Sequence, residues 1–559
     1  MKKPDKPLAV VRAKTGSGRY SRRQFVMAGA ALGISAGWLP HVGWGRPGYH
    51  PPSYAQGRVF HNRDGSGRFG VNNPGLRGAL VSNGREVTQT DEQGKWSLPV
   101  DGESVDFFVI KPRGWKTALD ADHLPRFTYT HAPGGSPELK FGGLAPTGAL
   151  PESIDFGLLE NEEADQFKAL FCGDPQPRDA REIGYLARTV VPHFRGTDAA
   201  FGISLGDIMF DDLSLYPLLN SAFGKIGIPW LNVLGNHDLD FDANDNLHAF
   251  DTFRRTYGAS YYSFDWGPVH FLVLNNVEWT GADPAQGRNS GSYRGFLGER
   301  QLAFVENDLR HVPRDRLVVI AMHIPLTGTI DPRPAIETVD RQELYKLLAD
   351  FPHTLSFSAH MHWHGHVFVD RQAGWLGPHP HHHIITGTLC GCWFGGAPGV
   401  DGVPHGTMSD GAPRGYLEVE FDGNRYRIDG YRGLQLPANH QMNIIVPDTI
   451  AKTELSNTVV FANVFNGSER SQVRIRFGEG DTWREMTRTV ELDPAYVALR
   501  ARDEKLELPY RKPANPSPCF HLWCYQFPET LAVGTHLIEV AAIDMHGHEH
   551  YGTSVSQVS

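Results

Sequence analysis

Hydrophobic and polar positions fall into three patterns along the chain. From about residue 56 to 160, short strand-forming runs alternate with turn signals. In "LRGALVSNGREVTQTDEQGKWSLPV" the turns are Asn83-Gly84 and Asp91 to Gly94, and Asn-Gly tolerates the positive φ of a tight hairpin. This predicts a meander or small sandwich. Between about 165 and 395, the runs "ALFCGD", "FGISLGD", "WLNVLGNHD", "HFLVLNN" and "LVVIAMHIP" are almost continuously apolar, and each ends in polar residues. Strands covered on both faces have this pattern, and sites are built at their carboxyl ends. The segments between them, "REIGYLARTVVPHF" and "RQLAFVENDLRHV", carry helical spacing, so the middle of the chain is predicted to be α/β. Strand patterns return in "YLEVEFDGNRYRIDGY", "NTVVFANVF", "SQVRIRF" and "THLIEVAAIDMHG", and a second β-sandwich is predicted over 396–559. At the junction, the Gly-rich segment Gly387 to Tyr416 is equally compatible with a linker and with a loop that offers Trp393, Asp410 or Arg414 to a site.

Length and composition refine this picture. A chain of 559 residues exceeds one ordinary core, and its 61 Gly and 39 Pro favour turns and short strands over an all-helical fold. The net charge is -10 and no long Lys/Arg run follows residue 23, which argues against a general nucleic-acid binder. A cationic site made by metal ions is invisible to that count, so small anionic substrates stay open. The five cysteines (Cys172, Cys390, Cys392, Cys519, Cys524) are too few and too irregular for a disulfide scaffold, and free thiols are expected ahead of a Cys519–Cys524 bridge. In "SRRQFVMAGAALGISAGWL", Arg22 and Arg23 precede a short apolar stretch that resembles a twin-arginine export signal, with residues 1–50 as signal and linker. The stretch falls short of the ~20 apolar residues of a membrane span. The resemblance implies a periplasmic or extracytoplasmic protein with no transmembrane helix in its mature chain.

The polar residues ending the α/β strands are all competent metal ligands. They are Asp174 and Gln176 in "GDPQ", Asp207 in "LGDIMFDD", Asn236 with His237 in "GNHD", His323 in "MHIP", and His360 with His362 in "AHMH". Two divalent ions about 4 Å apart need a shared carboxylate and hard O and N ligands, with positions left open for substrate.

In this order, the residues resemble the metallophosphoesterase (calcineurin-like phosphoesterase) superfamily, whose pattern is D-x-H, G-D, G-N-H-D or G-N-H-E, a lone His, then G-H-x-H. The three-part layout is similar to bacterial secreted members, and residues 56–160 resemble a transthyretin-like β-domain. The resemblance implies an α/β catalytic domain over 165–395, a β-sandwich core flanked by helices, with an all-β domain on each side. It also implies a first ion on Asp174, Gln176, Asp207 and His362, and a second on Asp207, Asn236, His323 and His360. A hydroxide activated by both ions would attack phosphorus, His237 would act as general acid, and Asn236 and His237 would hold the phosphate. Two departures stand out: Gln176 replaces a His and Ala359 replaces a Gly. An amide oxygen tilts the first site toward manganese or iron, with zinc still possible, and Ala359 is tolerable unless the backbone there needs positive φ.

Several neighbouring residues carry separate expectations. In "FSAHMHWHGH", His364 is read as a neighbour of the ligands or a rim residue, and His366 as structural. Asp211 is read as a solvated loop residue ahead of a partner for His237, and Asp238 equally as a loop residue or as an acceptor for a ligand imidazole's other N–H. The run "HPHHHII" is read as a solvated turn ahead of another ion site. The expected function is metal-dependent hydrolysis of phosphoric esters on a small-molecule or headgroup substrate. A phosphodiesterase or nucleotide pyrophosphatase is the alternative, and a catalytically silent binding protein the further one.

Overall fold

The computed structural model describes residues 53–281 and 291–559, so the twin-arginine leader lies outside the described residues. Residues 54–160 form two small sheets. One carries strands Lys95–Pro99, Tyr54–His61, Ile154–Glu160, Trp115–Leu119 and Pro125–Arg126; the other carries Val87–Gln89, Leu80–Ser82, Val105–Ile110 and Thr128–His131. Their alternating residues bury Val59, Val81, Trp96, Phe107 and Leu158 between them. The Asn83-Gly84 turn forms as its chemistry requires, with Gly84 at φ 78° and the Asn83 side chain accepting from the N–H groups of Arg85 (3.0 Å) and Glu86 (2.7 Å).

Two six-stranded sheets pack face to face in the centre. In the first, Trp230–Asn232, Phe201–Ser204 and Gln166–Cys172 run parallel. In the second, Val269–Val273, Val318–Ala321, Thr354–Ser358 and His381–Ile385 run parallel. Phe171 of one sheet stacks on Phe357 of the other, with ring centres 3.9 Å apart. Helices including Ala180–Thr189, Tyr216–Phe223, Glu299–Leu309 and Arg341–Leu348 lie along the chain between the strands. Because the strands within each set are parallel, their carboxyl ends share one edge, and the loops after residues 172, 204, 232, 321 and 358 open there.

Two expectations are corrected here. The hairpin Gly415–Asp422 and Arg425–Ile428, assigned from its pattern to a C-terminal domain beginning at 396, extends the first central sheet. Phe421 pairs with Phe167 and Leu417 with Phe171. The alternation that marked a strand could not say which sheet it would join. The "HHHII" run is a wholly buried strand rather than a solvated turn. Hydroxyls of the adjacent strand make this possible: His381 bonds Thr354 Oγ1 (2.8 Å) and Ser356 Oγ (2.7 Å), and His383 bonds Ser356 Oγ (2.7 Å).

The remaining strands form a sandwich of a four-stranded sheet (Met442–Ile445, Val459–Val464, Pro518–Gln526, Thr487–Leu492) and a five-stranded one built on Gln472–Phe477, Gly534–Ile543 and Glu549–Val558. Helix Pro494–Glu504 starts with Pro at its first position, and the Asp493 side chain accepts from Tyr496 N at 2.8 Å. All five cysteines are free thiols. Among the described residues no helix is long and apolar enough to cross a membrane.

Candidate metal centre

The loops at the shared strand edge bring the seven candidate ligands together, and they do so through unusual backbone. Of ten non-glycine residues with positive φ among the described residues, five are candidates: Asp174 (31°), Gln176 (39°), Asp207 (48°), His360 (70°) and His362 (52°). Such conformations cost about 1–3 kcal/mol each and persist where surrounding structure enforces them, typically at functional sites. Ala359 is not among them, so its methyl group is accommodated without strain.

Two glycines are required by close approach. A Cβ on Gly206 (φ 89°) would meet the His323 ring at 2.5 Å, and one on Gly235 would meet Asp207 N at 2.0 Å. This is the physical content of the Gly before Asp207 and the Gly before Asn236.

Within the site, Asp207, His323 and His360 place ligand atoms within 4.8 Å of one another. His323 Nε2 lies 3.2 Å from Asp207 Oδ1, 3.0 Å from Asn236 Oδ1 and 3.1 Å from His360 Nδ1. Gln176 Nε2 donates to Asp207 Oδ2 at 3.1 Å, and the His237 N–H donates to Asp207 Oδ1 at 2.8 Å. Asp174 is fully buried; its Oδ2 accepts from His360 N at 3.0 Å, while its Oδ1 has no partner and lies 3.9 Å from His362 Nε2.

The other nitrogen of each candidate imidazole faces a backbone carbonyl: His323 Nδ1 faces Leu205 O (2.8 Å), His360 Nε2 faces Ala335 O (3.1 Å), and His362 Nδ1 faces Gly391 O. A carbonyl only accepts, so those nitrogens carry the protons and the inward nitrogens present lone pairs. A buried orphan carboxylate oxygen facing bare imidazole lone pairs is a donor set that fits divalent ions.

The electrostatics agree with this assignment for His360 and His362; at His323 burial is outweighed by Asp207, which raises the pKa to about 9, so its inward lone pair becomes available when a cation takes the place of that proton. Burial, reinforced by His323, holds His360 down to about 3, and burial holds His362 down to about 4, so both are neutral imidazoles at neutral pH, the form a metal ligand needs. Burial pushes Asp174 well above the carboxylate range. For Asp207 burial works the same way but is outweighed by His323 and His237, leaving it ionised.

His237 sits beside the ligand cluster, its ring stacked on Phe210 at 4.5 Å. Its Nδ1 bonds Asp211 Oδ1 at 2.6 Å, which corrects the reading of Asp211 as a solvated loop residue. Asp211 reaches back because its own backbone is left-handed (φ 65°) and its N–H bonds His237 O at 3.3 Å, a local turn that spacing alone does not reveal. Burial opposes protonation of His237, but Asp207 and Asp211 outweigh it and raise its pKa.

Asp238 also differs from expectation. It accepts from the N–H groups of Ile208 (3.0 Å), Met209 (3.2 Å) and Gly235 (2.9 Å) and from Tyr216 OH (3.0 Å), so it ties two ligand loops together instead of orienting an imidazole. Burial and Asp207 push its pKa up to about 7.

His364 and His366 leave the site as the chain enters strand Gly365–Val369. His364 is fully buried rather than at the rim, 3.3 Å from His366 Nε2. The Gly-rich segment folds back onto the site, but only Trp393 of its three candidates reaches it, stacked on His362 with centres 4.4 Å apart. Asp410 is buried against His521 (3.1 Å), and buried Arg414 bonds Leu389 O (3.2 Å).

Sequence reasoning missed three neighbours: Cys390, whose Sγ lies 3.9 Å from Gln176 Oε1; Tyr293, edge-on to His360 at 6.1 Å; and Arg178, over the Phe210 ring at 4.0 Å. Only Arg178, two residues after Gln176, carried a positional signal.

Comparison with known proteins follows the same division of the chain. The family model for calcineurin-like phosphoesterase matches residues 167–364, that for the N terminal of calcineurin-like phosphoesterase matches 63–143, and that for the C terminal matches 383–550. No curated protein matches the sequence. Among solved structures, the chain is similar to a dimetal phosphatase from Danio rerio (14% identity, 48% of this chain and 96% of that one, TM-score 0.33). It is also similar to purple acid phosphatase PPD1 from yellow lupin, Lupinus luteus (12% identity, 67% of this chain and 71% of that one, TM-score 0.33). With family models in register on all three parts, and a donor set at the strand edge that fits divalent ions, the chain belongs to the calcineurin-like phosphoesterase superfamily and is a metal-dependent phosphoester hydrolase.

Proposed function

We propose that Asp174, Gln176, Asp207 and His362 hold one divalent ion, that Asp207, Asn236, His323 and His360 hold a second, and that His237 is the general acid. The observation that carries this reading is the tautomer pattern: three imidazoles donate outward to backbone carbonyls and turn bare nitrogens toward Asp174, Asp207 and Asn236. Two bound ions would acidify a water and offset charge developing on the phosphoryl oxygens.

The protein's own part is positioning and proton transfer. Asp207 fixes the His237 backbone, and Asp211 accepts from His237 Nδ1, so His237 Nε2 is free to carry a proton to the leaving-group oxygen. Asp207 and Asp211 outweigh burial and raise the pKa of His237, which favours its protonated form. Gln176 turns its Nε2 toward Asp207 and its Oε1 toward Cys390, so it would ligate by flipping its amide, and the oxygen it would then supply favours manganese or iron over zinc in the first position.

The test is to reconstitute the chain with Mn²⁺ or Fe, measure metal per chain, and compare hydrolysis of aryl phosphate mono- and diesters. Two ions per chain and a clear preference for one ester class are expected, with hydrolysis reduced to background in Asp207→Asn. Fewer than one ion per chain, or an active Asp207→Asn, would sink the reading.

A further inference from the structure

The first-ion half of the site is closed by the segment Cys390 to Phe394, which lies outside every ligand motif. Its Gly391 carbonyl accepts from His362 Nδ1, and its Trp393 ring lies on the His362 ring at 4.4 Å and 36°. Trp393 and Phe394 are consecutive non-glycine residues in the left-handed region, at φ 53° and 52°. A strained pair of this kind is held only by what surrounds it.

Part of what surrounds it comes from the C-terminal β-domain. Arg511, in the loop before strand Pro518–Gln526, donates from Nη1 to Trp393 O at 2.7 Å, and its own carbonyl accepts from Gly396 N at 2.8 Å. The second guanidinium nitrogen of Arg511 lies 3.8 Å from the buried Glu182, whose other cationic neighbour is Arg178 at 3.7 Å. Arg178 also reaches Trp393 O (3.4 Å) and covers Phe210, the ring on which His237 stacks. An Arg–Glu–Arg bracket therefore backs both His362 and His237 without touching either.

We infer that Arg511 is a positioning residue through which the C-terminal β-domain sets the first-ion site. It fixes the Trp393 carbonyl, which holds the strained segment, which in turn fixes the tautomer and orientation of His362. This rests on the reading of His362 as a ligand. Groups that orient ligands in this indirect way typically contribute about 10–100-fold to metal affinity.

The experiment titrates the metal-free full-length chain with Mn²⁺ alone, following bound metal and tryptophan fluorescence, in wild type, Arg511→Ala, Arg511→Lys and Trp393→Ala. In Arg511→Ala the first ion is expected to bind about 10–100-fold more weakly while the second keeps its affinity and the thermal midpoint stays near wild type. Arg511→Lys should recover part of the loss, since an ammonium can still donate to the carbonyl. Trp393→Ala should weaken the same ion, and it carries the test if Arg511→Ala does not fold. Wild type with two ions, together with unchanged constants in the folded variants, overturns this inference alone. Wild type with fewer than two ions takes down the two-ion reading as well.

Discussion

Two groups of histidines, buried except for the half-buried His360, sit on the loops and strands of the central domain, and their hydrogen bonds are satisfied on opposite terms. His323, His360 and His362 donate outward to carbonyls and leave inward nitrogens that face other acceptors. His366, His381, His382 and His383 are satisfied among themselves and by side-chain partners. His366 Nδ1 bonds His382 Nε2 (3.0 Å), His382 Nδ1 bonds Tyr426 OH (2.7 Å), and His381 and His383 share Ser356 Oγ. The first group leaves lone pairs that a cation could take and the second is complete without one, although the residue type is the same and His323 and His362 are as buried as the second group. What separates a candidate ligand from a core histidine is therefore the identity of its hydrogen-bond partners: a carbonyl takes one ring proton and leaves the other nitrogen's lone pair open, whereas hydroxyls, a backbone N–H or a second imidazole can donate to it. His270 shows a third mode: buried between Asp265 (2.9 Å) and Asp308 (3.0 Å), it is held as a cation.

These differences predict effects of different kinds and sizes. The largest falls on His237, which belongs to neither group but adjoins the first. His237→Gln should lower kcat by about 10²–10⁴-fold, with the greater loss on alkyl esters, whose leaving oxygen needs the proton most. Steady-state rates on aryl and alkyl phosphates measure this, and equal losses on both would remove the general-acid role.

Next in size is His270. Burial alone would lower its pKa, but Asp308 and Asp265 outweigh burial and hold it at about 9, above the ordinary 6.5. A group raised on folding stabilises fully below its unfolded value and loses that contribution as pH rises through its folded value. The pair's stabilisation of about 3 kcal/mol should thus be complete at pH 6 and decline between about pH 6.5 and 9. Thermal midpoints against pH should show that decline in wild type and not in His270→Gln; identical profiles would mean His270 is buried neutral.

The smallest effect is expected in the self-satisfied group. His381→Phe leaves the hydroxyls of Thr354 and Ser356 short of a partner, at about 1–3 kcal/mol of stability, with metal content and turnover per folded molecule unchanged. Loss of bound metal in that variant would erase the distinction between the two groups.

Much of the architecture was legible from pattern. The apolar runs ending in "GDPQ", "LGD", "GNHD" and "MHIP" became the parallel strands, because a strand covered on both faces has little freedom to be anything else. The ligand residue types at their ends were visible for the same reason. The hairpin at 415–428 was recognisable as a hairpin, yet its sheet was not, since alternation encodes which face is buried and not the neighbour that buries it. The "HHHII" run misled because polar composition suggests solvent, and only the hydroxyls of Thr354 and Ser356 on the adjacent strand turn it into core.

By itself, then, the sequence determined the order of the elements, the residue types that meet at one sheet edge, and the glycines that let Asp207, Asn236 and His323 approach. The tertiary structure alone decided which nitrogen of each imidazole faces inward, that Asp211 partners His237 instead of lying in solvent, and that Trp393 and Arg511 pack behind His362. The reason is the range of the interactions. Strand identity is set by local periodicity, whereas tautomers and orientation depend on carbonyls and side chains brought from 25 to 118 residues away.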